Sequence, residues 1–283
     1  MYIIIFASYI AFLANLCYTE KKDGDFMTYR FQTDDFQIEY TESEIRPSIL
    51  WESHCHARYE MIAVVDGDIS VMLEGHNYRL QKNQSIIIPP LFYHSIMANE
   101  EGAYRRITAL FGIDTIPSVL RDIFTRQGKD TVLPASLIEK IKEVCQKEDV
   151  AFYAPLLQSL MVEIFYEALH SSSPSPQAEV DEFLKKALRY IDEHLNEKIL
   201  LDDLAKATSR SKSSFCHLFE KKMKISPKQY ILQKKLALAS KLIADGTPCT
   251  TAAMRIGYEN YSNFFRIYSK HAKESPQKSK PLE

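Results

Sequence analysis

The feature that most constrains this chain is a helix-turn-helix pattern written twice near its C-terminal end. The first copy runs Leu201-Asp-Asp-Leu-Ala205, a polar turn, then Ser211-Lys-Ser-Ser-Phe-Cys-His-Leu-Phe219. The second runs Thr251-Ala-Ala-Met-Arg-Ile-Gly257-Tyr258, then Asn260-Tyr-Ser-Asn-Phe-Phe-Arg-Ile-Tyr268. In each, a short apolar helix carrying alanine meets a turn, a polar cap and a helix with paired apolar residues on one face. One such unit fits one major groove, and two joined rigidly can follow two successive turns of a duplex face. Either copy alone could be a pair of small solvated helices. Repetition at an offset of 49 residues, Ser211 to Asn260, argues against that.

Charge is segregated in the same sense. Residues 181–283 carry 20 Lys and Arg against 12 Asp and Glu, whereas residues 1–180 carry 15 against 25. A basic half beside an acidic half points to nucleic-acid contact by one part only. The 283 residues suffice for about two domains. Five cysteines, odd in number and without a Cys-x-x-Cys pair, fit a reducing cytoplasm better than a disulfide scaffold or a structural zinc site.

Residues 1–26 are an ambiguous extension. Residues 1–19 carry no charge, yet no Lys or Arg precedes Lys21, and Ser8 and Asn15 interrupt the apolar run. A secretion signal would show a basic start, and a full membrane span needs about 20 apolar residues. Three readings stand: translation from Met27, a membrane or secretion segment, or a real apolar extension. The first is preferred, with no membrane partner.

From residue 27 to 112 the pattern is short strands broken by turns, as at Met61–Val65, Ile69–Leu73, Ser85–Ile88 and Arg106–Phe111. That spacing predicts a sandwich or small barrel. Helical spacing takes over in residues 113–170, with two helices whose Leu156, Leu160, Ile164 and Leu169 form either a dimer seam or a cover for the barrel. Ser171–Pro176 has linker composition, so residues 171–180 separate this part from an all-helical domain at 181–277. There Pro227–Ala244 is a long helix connecting the two repeated units.

Ser211 and Asn260 are N-caps for the reading helices. Phe215, Leu218 and Phe219 then face inward in the first and Phe264 and Tyr268 in the second. Ser213, Cys216 and His217 point out beside Lys212 and Lys221, as do Tyr261, Ser262, Phe265 and Arg266 in the second helix. Arginine can pair with both acceptors of guanine, and an aromatic ring can touch a thymine methyl.

Residues 184–276 resemble the AraC family of bacterial transcription regulators. The resemblance rests on Ile199-x-Leu201-x-x-Leu204-Ala205, Ser211-x-x-x-Phe215-x-x-Leu218-Phe219, Ser226-Pro227-x-x-Tyr230-Ile231 and Ile256-Gly257-Tyr258-x-Asn260-x-x-x-Phe264-x-Arg266-x-Tyr268. It implies that the connecting helix holds both reading helices in adjacent grooves. Transferred by position, Ser213, Cys216, His217, Tyr261, Ser262 and Arg266 would meet base edges. Two departures stand out: Lys235 replaces the family's arginine on the connecting helix, and Ser209 replaces the usual glycine of the first turn.

His54-Cys-His56-x-x-x-Glu60, with His94 after Pro89-Pro90, is the other informative string. Two histidines two apart on a strand share a side, and three imidazoles with a carboxylate could hold a first-row divalent metal. The string resembles the motifs of the cupin barrel. Without a metal, His54, His56, Glu60 and His94 would line an effector pocket. Trp51, Tyr59, Phe92 and Tyr93 would then supply flat apolar walls, a combination suited to a sugar.

The expected architecture is therefore multidomain: a cupin-like β-barrel, two helices, and an all-α domain with two helix-turn-helix units. The expected function is a cytoplasmic, homodimeric regulator, activating promoter DNA with RNA polymerase in response to a small molecule, with no required cofactor. The competing reading is a metal-dependent cupin enzyme carrying a DNA-binding tail.

Overall fold

The alternation read through the first half folds as two antiparallel sheets. The structure is a computed structural model describing residues 18–22, 26–32, 36–45, 53–116, 130–132, 134–145, 154–170, 180–272 and 275–276. The larger sheet takes β1 (Tyr18–Lys22), β2 (Phe26–Gln32), β3 (Phe36–Ile45), β4 (Tyr59–Asp66), β7 (Gln84–Ile88), β9 (Gly102–Phe111) and β10 (Asp130–Val132), in the order β1-β2-β3-β9-β4-β7-β10. The smaller takes β5 (Ile69–Leu73), β6 (His76–Leu80) and β8 (His94–Ala98), in the order β6-β5-β8. The fold is cupin-like, but the expected barrel is not closed among the described residues. Tyr18–Lys22 pairs with Phe26–Arg30, so the supposed extension contributes a strand that a start at Met27 would delete.

Register explains which face is which. Phe36, Ile38 and Tyr40 of β3 share a face with Ile107, Ala109 and Phe111 of β9 and with Tyr59, Met61 and Ala63 of β4. This apolar face packs against α1 (Ala135–Cys145) and α2 (Ala154–His170) through Ile138, Ile141, Leu160, Ile164 and Phe165. Leu160 and Ile164 therefore cover the sheet and are not free to form a dimer seam. Among the described side chains of α2, the large apolar ones left outside are Leu156, Val162 and Tyr166. On the inner face Ile62, Val64, Ile86 and Ile88 meet Ile69, Val71 and Ile96 of the smaller sheet.

The second half is helical: α3 (Glu182–Glu193), α4 (Leu201–Ala207), α5 (Lys212–Met223), α6 (Pro227–Ala244), α7 (Cys249–Arg255) and α8 (Tyr261–Ala272). Two cores form around α6. Leu184, Leu188, Ile191, Phe215, Phe219 and Tyr230 make the first, and Leu236, Ala239, Ile243, Ala252, Phe264 and Tyr268 the second. Lys235 is buried between them, where its ammonium donates to the carbonyls of Glu197 and Ile256, the latter at 2.6 Å. Burial lowers its pKa. At this position a lysine ties the end of α7 to the loop before α4.

The two turns are the same structure. After α4, Ser209 N–H donates to Lys206 O and Arg210 N–H to Ala205 O. After α7, Gly257 N–H donates to Met254 O and Tyr258 N–H to Ala253 O. This bond pair is the Schellman motif, which needs a left-handed residue just past the helix. That residue is Ser209 (φ +54°) in the first unit and Gly257 (φ +81°) in the second.

Candidate effector centre and nucleic-acid interface

Both reading helices start where their caps predict. The Ser211 hydroxyl accepts from Ser214 N–H, and Asn260 Oδ1 accepts from Asn263 N–H. Phe215, Phe219, Phe264 and Tyr268 are buried, so each helix is anchored by one side and bare on the other. On α5, Ser213, His217 and Lys221 follow one another at i, i+4 and are all exposed. Cys216 is half-buried against the first core, and Lys212 pairs with Asp202 at 2.9 Å. On α8, Ser262, Phe265 and Arg266 are exposed, while Tyr261 leans on Phe264. Arg266 Nη2 donates to Asn263 Oδ1 across one turn, which steadies a guanidinium that stays in solvent.

In the sensor half His54, His56, Glu60 and His94 come together, their ligand atoms within 4.8 Å of one another. Glu60, the second residue of β4, faces inward, and His94 starts β8 opposite it. His54 and His94 exchange backbone hydrogen bonds of 3.0 Å each, which adds the His54–His56 segment to the edge of the smaller sheet. Glu60 Oε2 lies 2.8 Å from His94 Nε2, 2.9 Å from His56 Nε2 and 3.8 Å from His54 Nε2. The His94 side chain has no solvent exposure and that of Glu60 has 7%, whereas His54 is 49% exposed, so the centre opens on the His54 side.

Each inner imidazole has its other nitrogen committed. His56 Nδ1–H donates to Arg58 O and His94 Nδ1–H to Phe92 O, both at 2.9 Å. With Nδ1 protonated, Nε2 can face Glu60 either as a second N–H or as a lone pair toward a metal ion. Burial opposes charge on both groups, yet the paired hydrogen bonds and opposite charges win. They raise His94 above the ordinary histidine value and hold Glu60 well below the ordinary carboxylate range. Carbonyl-fixed imidazoles converging with a carboxylate also fit a first-row divalent ion, for which the Arg58 and Phe92 carbonyls would be the orienting outer partners. Such an ion would supply a Lewis-acidic anchor for an oxygen ligand.

Of the remaining expected pocket residues, Tyr59 and Tyr93 are not in this centre. Trp51 lies outside the described residues. Tyr59 faces the helices, stacked on Phe111 at 5.5 Å. Tyr93 is fully buried and points away from the histidines, its ring edge-on to Tyr230 of α6 at 5.2 Å. The reason is strand alternation: Tyr93 precedes the inward His94 and must face the other way. The same rule turns Cys55, between inward His54 and His56, outward onto the first helical core. Alternation also creates a polar strip that no sequence motif marks. Gln37, Glu39, Thr41 and Ser43 of β3 share the inner face with Arg106 and Thr108 of β9, and Thr108 pairs with Ile62, two residues along β4 from Glu60.

Comparison with known proteins agrees with this layout. Residues 28–188 match the model of an AraC-like ligand binding domain, and residues 204–280 match that of a helix-turn-helix domain. The chain belongs to the AraC family of transcription regulators. An HTH-type transcriptional regulator of Escherichia coli K12, YdiP, is 32% identical over 117 residues, covering 40% of this chain and 38% of that protein. The chain thus spans well under half the length of that relative. YobQ, an HTH-type transcriptional regulator of Bacillus subtilis 168, is 23% identical over 232 residues, 81% of this chain and 88% of that protein. Among solved structures, ToxT of Vibrio cholerae superposes with a TM-score of 0.41 at 10% identity, over 86% of this chain and 97% of that one. As an AraC-family member the chain joins a helix-turn-helix domain to an AraC-like ligand-binding domain. No described helix is long and apolar enough to cross a membrane.

Proposed function

We propose that this regulator acts in the cytoplasm as a homodimer, activating a promoter through RNA polymerase when a small polar molecule fills the centre at His54, His56, Glu60 and His94. The observation that carries the reading is the pairing of one solvent-open, charge-lined centre with two capped helices whose outer stripes are bare. Ser213, His217 and Lys221 position the first helix on phosphates and base edges; Tyr261, Ser262 and Arg266 read bases with the second. Leu156, Val162 and Tyr166 on α2 are where a second copy would sit. A sugar or related polyol suits the centre, because imidazoles and a carboxylate can grip hydroxyls and the polar strip around Thr108 supplies further partners. Effector acts by favouring one arrangement of the DNA-reading half, which requires unequal affinity for two states.

The test is binding of the purified chain to its own upstream region across a salt series, with a thermal-shift screen of sugars alongside. Sequence-selective, salt-sensitive binding and a melting shift by one class of compound are expected. Equal affinity for unrelated DNA would overturn the reading.

The four-donor centre favours one second reading, a metal-dependent enzyme with a DNA-binding tail. It requires stoichiometric metal in the purified chain and turnover that His56→Ala abolishes. A metal-free preparation that binds DNA selectively removes it.

A further inference from the structure

The two-residue turn between β5 and β6 is built for something other than turning. Leu73 pairs with His76, leaving Glu74 (φ +46°) and Gly75 (φ +81°) as the loop. Both positive φ values make this a type I′ turn, where asparagine or aspartate normally leads. Glutamate gains nothing there locally, but its carboxylate reaches the other half of the chain. Glu74 Oε2 accepts from Tyr230 Oη–H at 2.5 Å, and Oε1 accepts from Lys234 Nζ–H at 2.9 Å. Lys234 has a side chain only 3% exposed and is shared with Asp192 of α3 at 2.9 Å. Gly75 is explained by the same docking. A Cβ there would stand 2.5 Å from Leu184 Cδ2 and 3.6 Å from Met223 Sδ, so a larger residue, already disfavoured at φ +81°, would push the Leu184 side chain aside where the tip seats between α3 and α5.

The turn is also bolted to the strand that carries the centre. Glu74 N–H donates to Tyr93 O at 2.9 Å, and Tyr93 N–H donates to Glu74 Oε1 at 2.8 Å. Tyr93 and Cys55 both pack into the first helical core, while their chain neighbours His94, His54 and His56 form the centre. The centre and the docking contact are thus the two sides of the same two strand segments, one residue apart.

We infer that Glu74 is an interdomain clasp on Tyr230 and Lys234, and that Cys55 and Tyr93 make its grip depend on what occupies the histidine–glutamate centre. This rests on the reading of the chain as an effector-responsive regulator. Filling the centre repositions His54, His56 and His94; Cys55 and Tyr93 cannot stay still when their neighbours move; and the clasp tightens or releases the first DNA-reading unit.

Coupling of this kind is reciprocal, so it is testable in both directions with the full chain and without its effector. Glu60→Gln alters the centre, and amide exchange is read in residues 227–236 of α6. Tyr230→Phe and Glu74→Gln alter the clasp, and the imidazole resonances of His94 and His56 are read. Ser240→Ala, which removes the 2.7 Å contact to Tyr268 on the far part of the same helix, is the control. Expected are exchange in α6 changed by about threefold or more in Glu60→Gln, shifted His94 resonances in both clasp variants, and neither effect in the control. Unmoved His94 resonances in folded Tyr230→Phe and Glu74→Gln overturn the inference, as does transmission in one direction only. Should Glu60→Gln not fold, the clasp variants decide alone, since Tyr230→Phe removes a single oxygen. Failure of transmission in a chain that binds DNA selectively sinks the clasp and spares the regulator; absence of selective binding does the reverse.

Discussion

The two helix-turn-helix units share a turn, a cap and an aromatic anchor, yet they sit in different surroundings. The first shares its core with the sensor: Tyr93 is part of it, with Cys55 and Met72 packed alongside. The second is closed on itself, with a core drawn from α6, α7 and α8 and the turn that joins them. One unit is held, and the other is presented. The side chains follow the same division. The held unit offers a short exposed Ser213, a half-buried Cys216 and an exposed imidazole at His217, whereas the presented unit carries the exposed guanidinium of Arg266. On the proposed reading, the first unit supplies position and the second base discrimination.

The largest effects that can break this comparison come from the anchors. Phe219→Ala and Phe264→Ala should each cost about 3–5 kcal/mol, the usual range for emptying a buried ring, measurable by chemical denaturation. Only Phe219→Ala should also loosen the sensor, because its ring meets Tyr230 at 5.4 Å and Tyr230 meets Tyr93. Equal disturbance of the sensor by both variants would mean that the second unit is held as firmly as the first.

Next come the turns. Gly257→Ala should destabilise by about 2 kcal/mol, because a left-handed residue with a side chain is strained and the new Cβ would stand 3.0 Å from the Glu197 backbone. Ser209→Gly should do the opposite at the matching position, stabilising by about 0.5 kcal/mol as strain is relieved and the looser unfolded chain takes back part of the gain. Thermal unfolding of the two variants side by side checks both signs.

Much of this was legible in the amino-acid order. The repeat, its caps at Ser211 and Asn260, the anchors and the outward Arg266 follow from periodicity 3.6 and polar punctuation. His54, His56, Glu60 and His94 were legible because strand alternation puts i and i+2 on one side. What was hidden is what crosses domains. Glu74 reads as an ordinary hairpin residue, and Tyr93 as a pocket wall; nothing local links either to Tyr230, more than 130 residues away. The leucines of α2 were ambiguous for a related reason. Helical spacing marks an apolar face without naming what covers it, and here the sheet took Leu160 and Ile164. Closure of the barrel does not follow from the pattern, because short strands at regular spacing suit the open double sheet seen among the described residues equally well.

The division between holding and reading is tested most directly by position-by-position affinity on a DNA library built from the preferred site, for the parent chain, Arg266→Ala and Lys221→Ala. The account predicts that Arg266→Ala loses about 1–3 kcal/mol of preference at one base step while other positions keep theirs. Lys221→Ala should weaken every sequence alike and lower the salt slope by about one. Uniform weakening by Arg266→Ala, with base preference shifted instead by Ser213→Ala or His217→Ala, would contradict it.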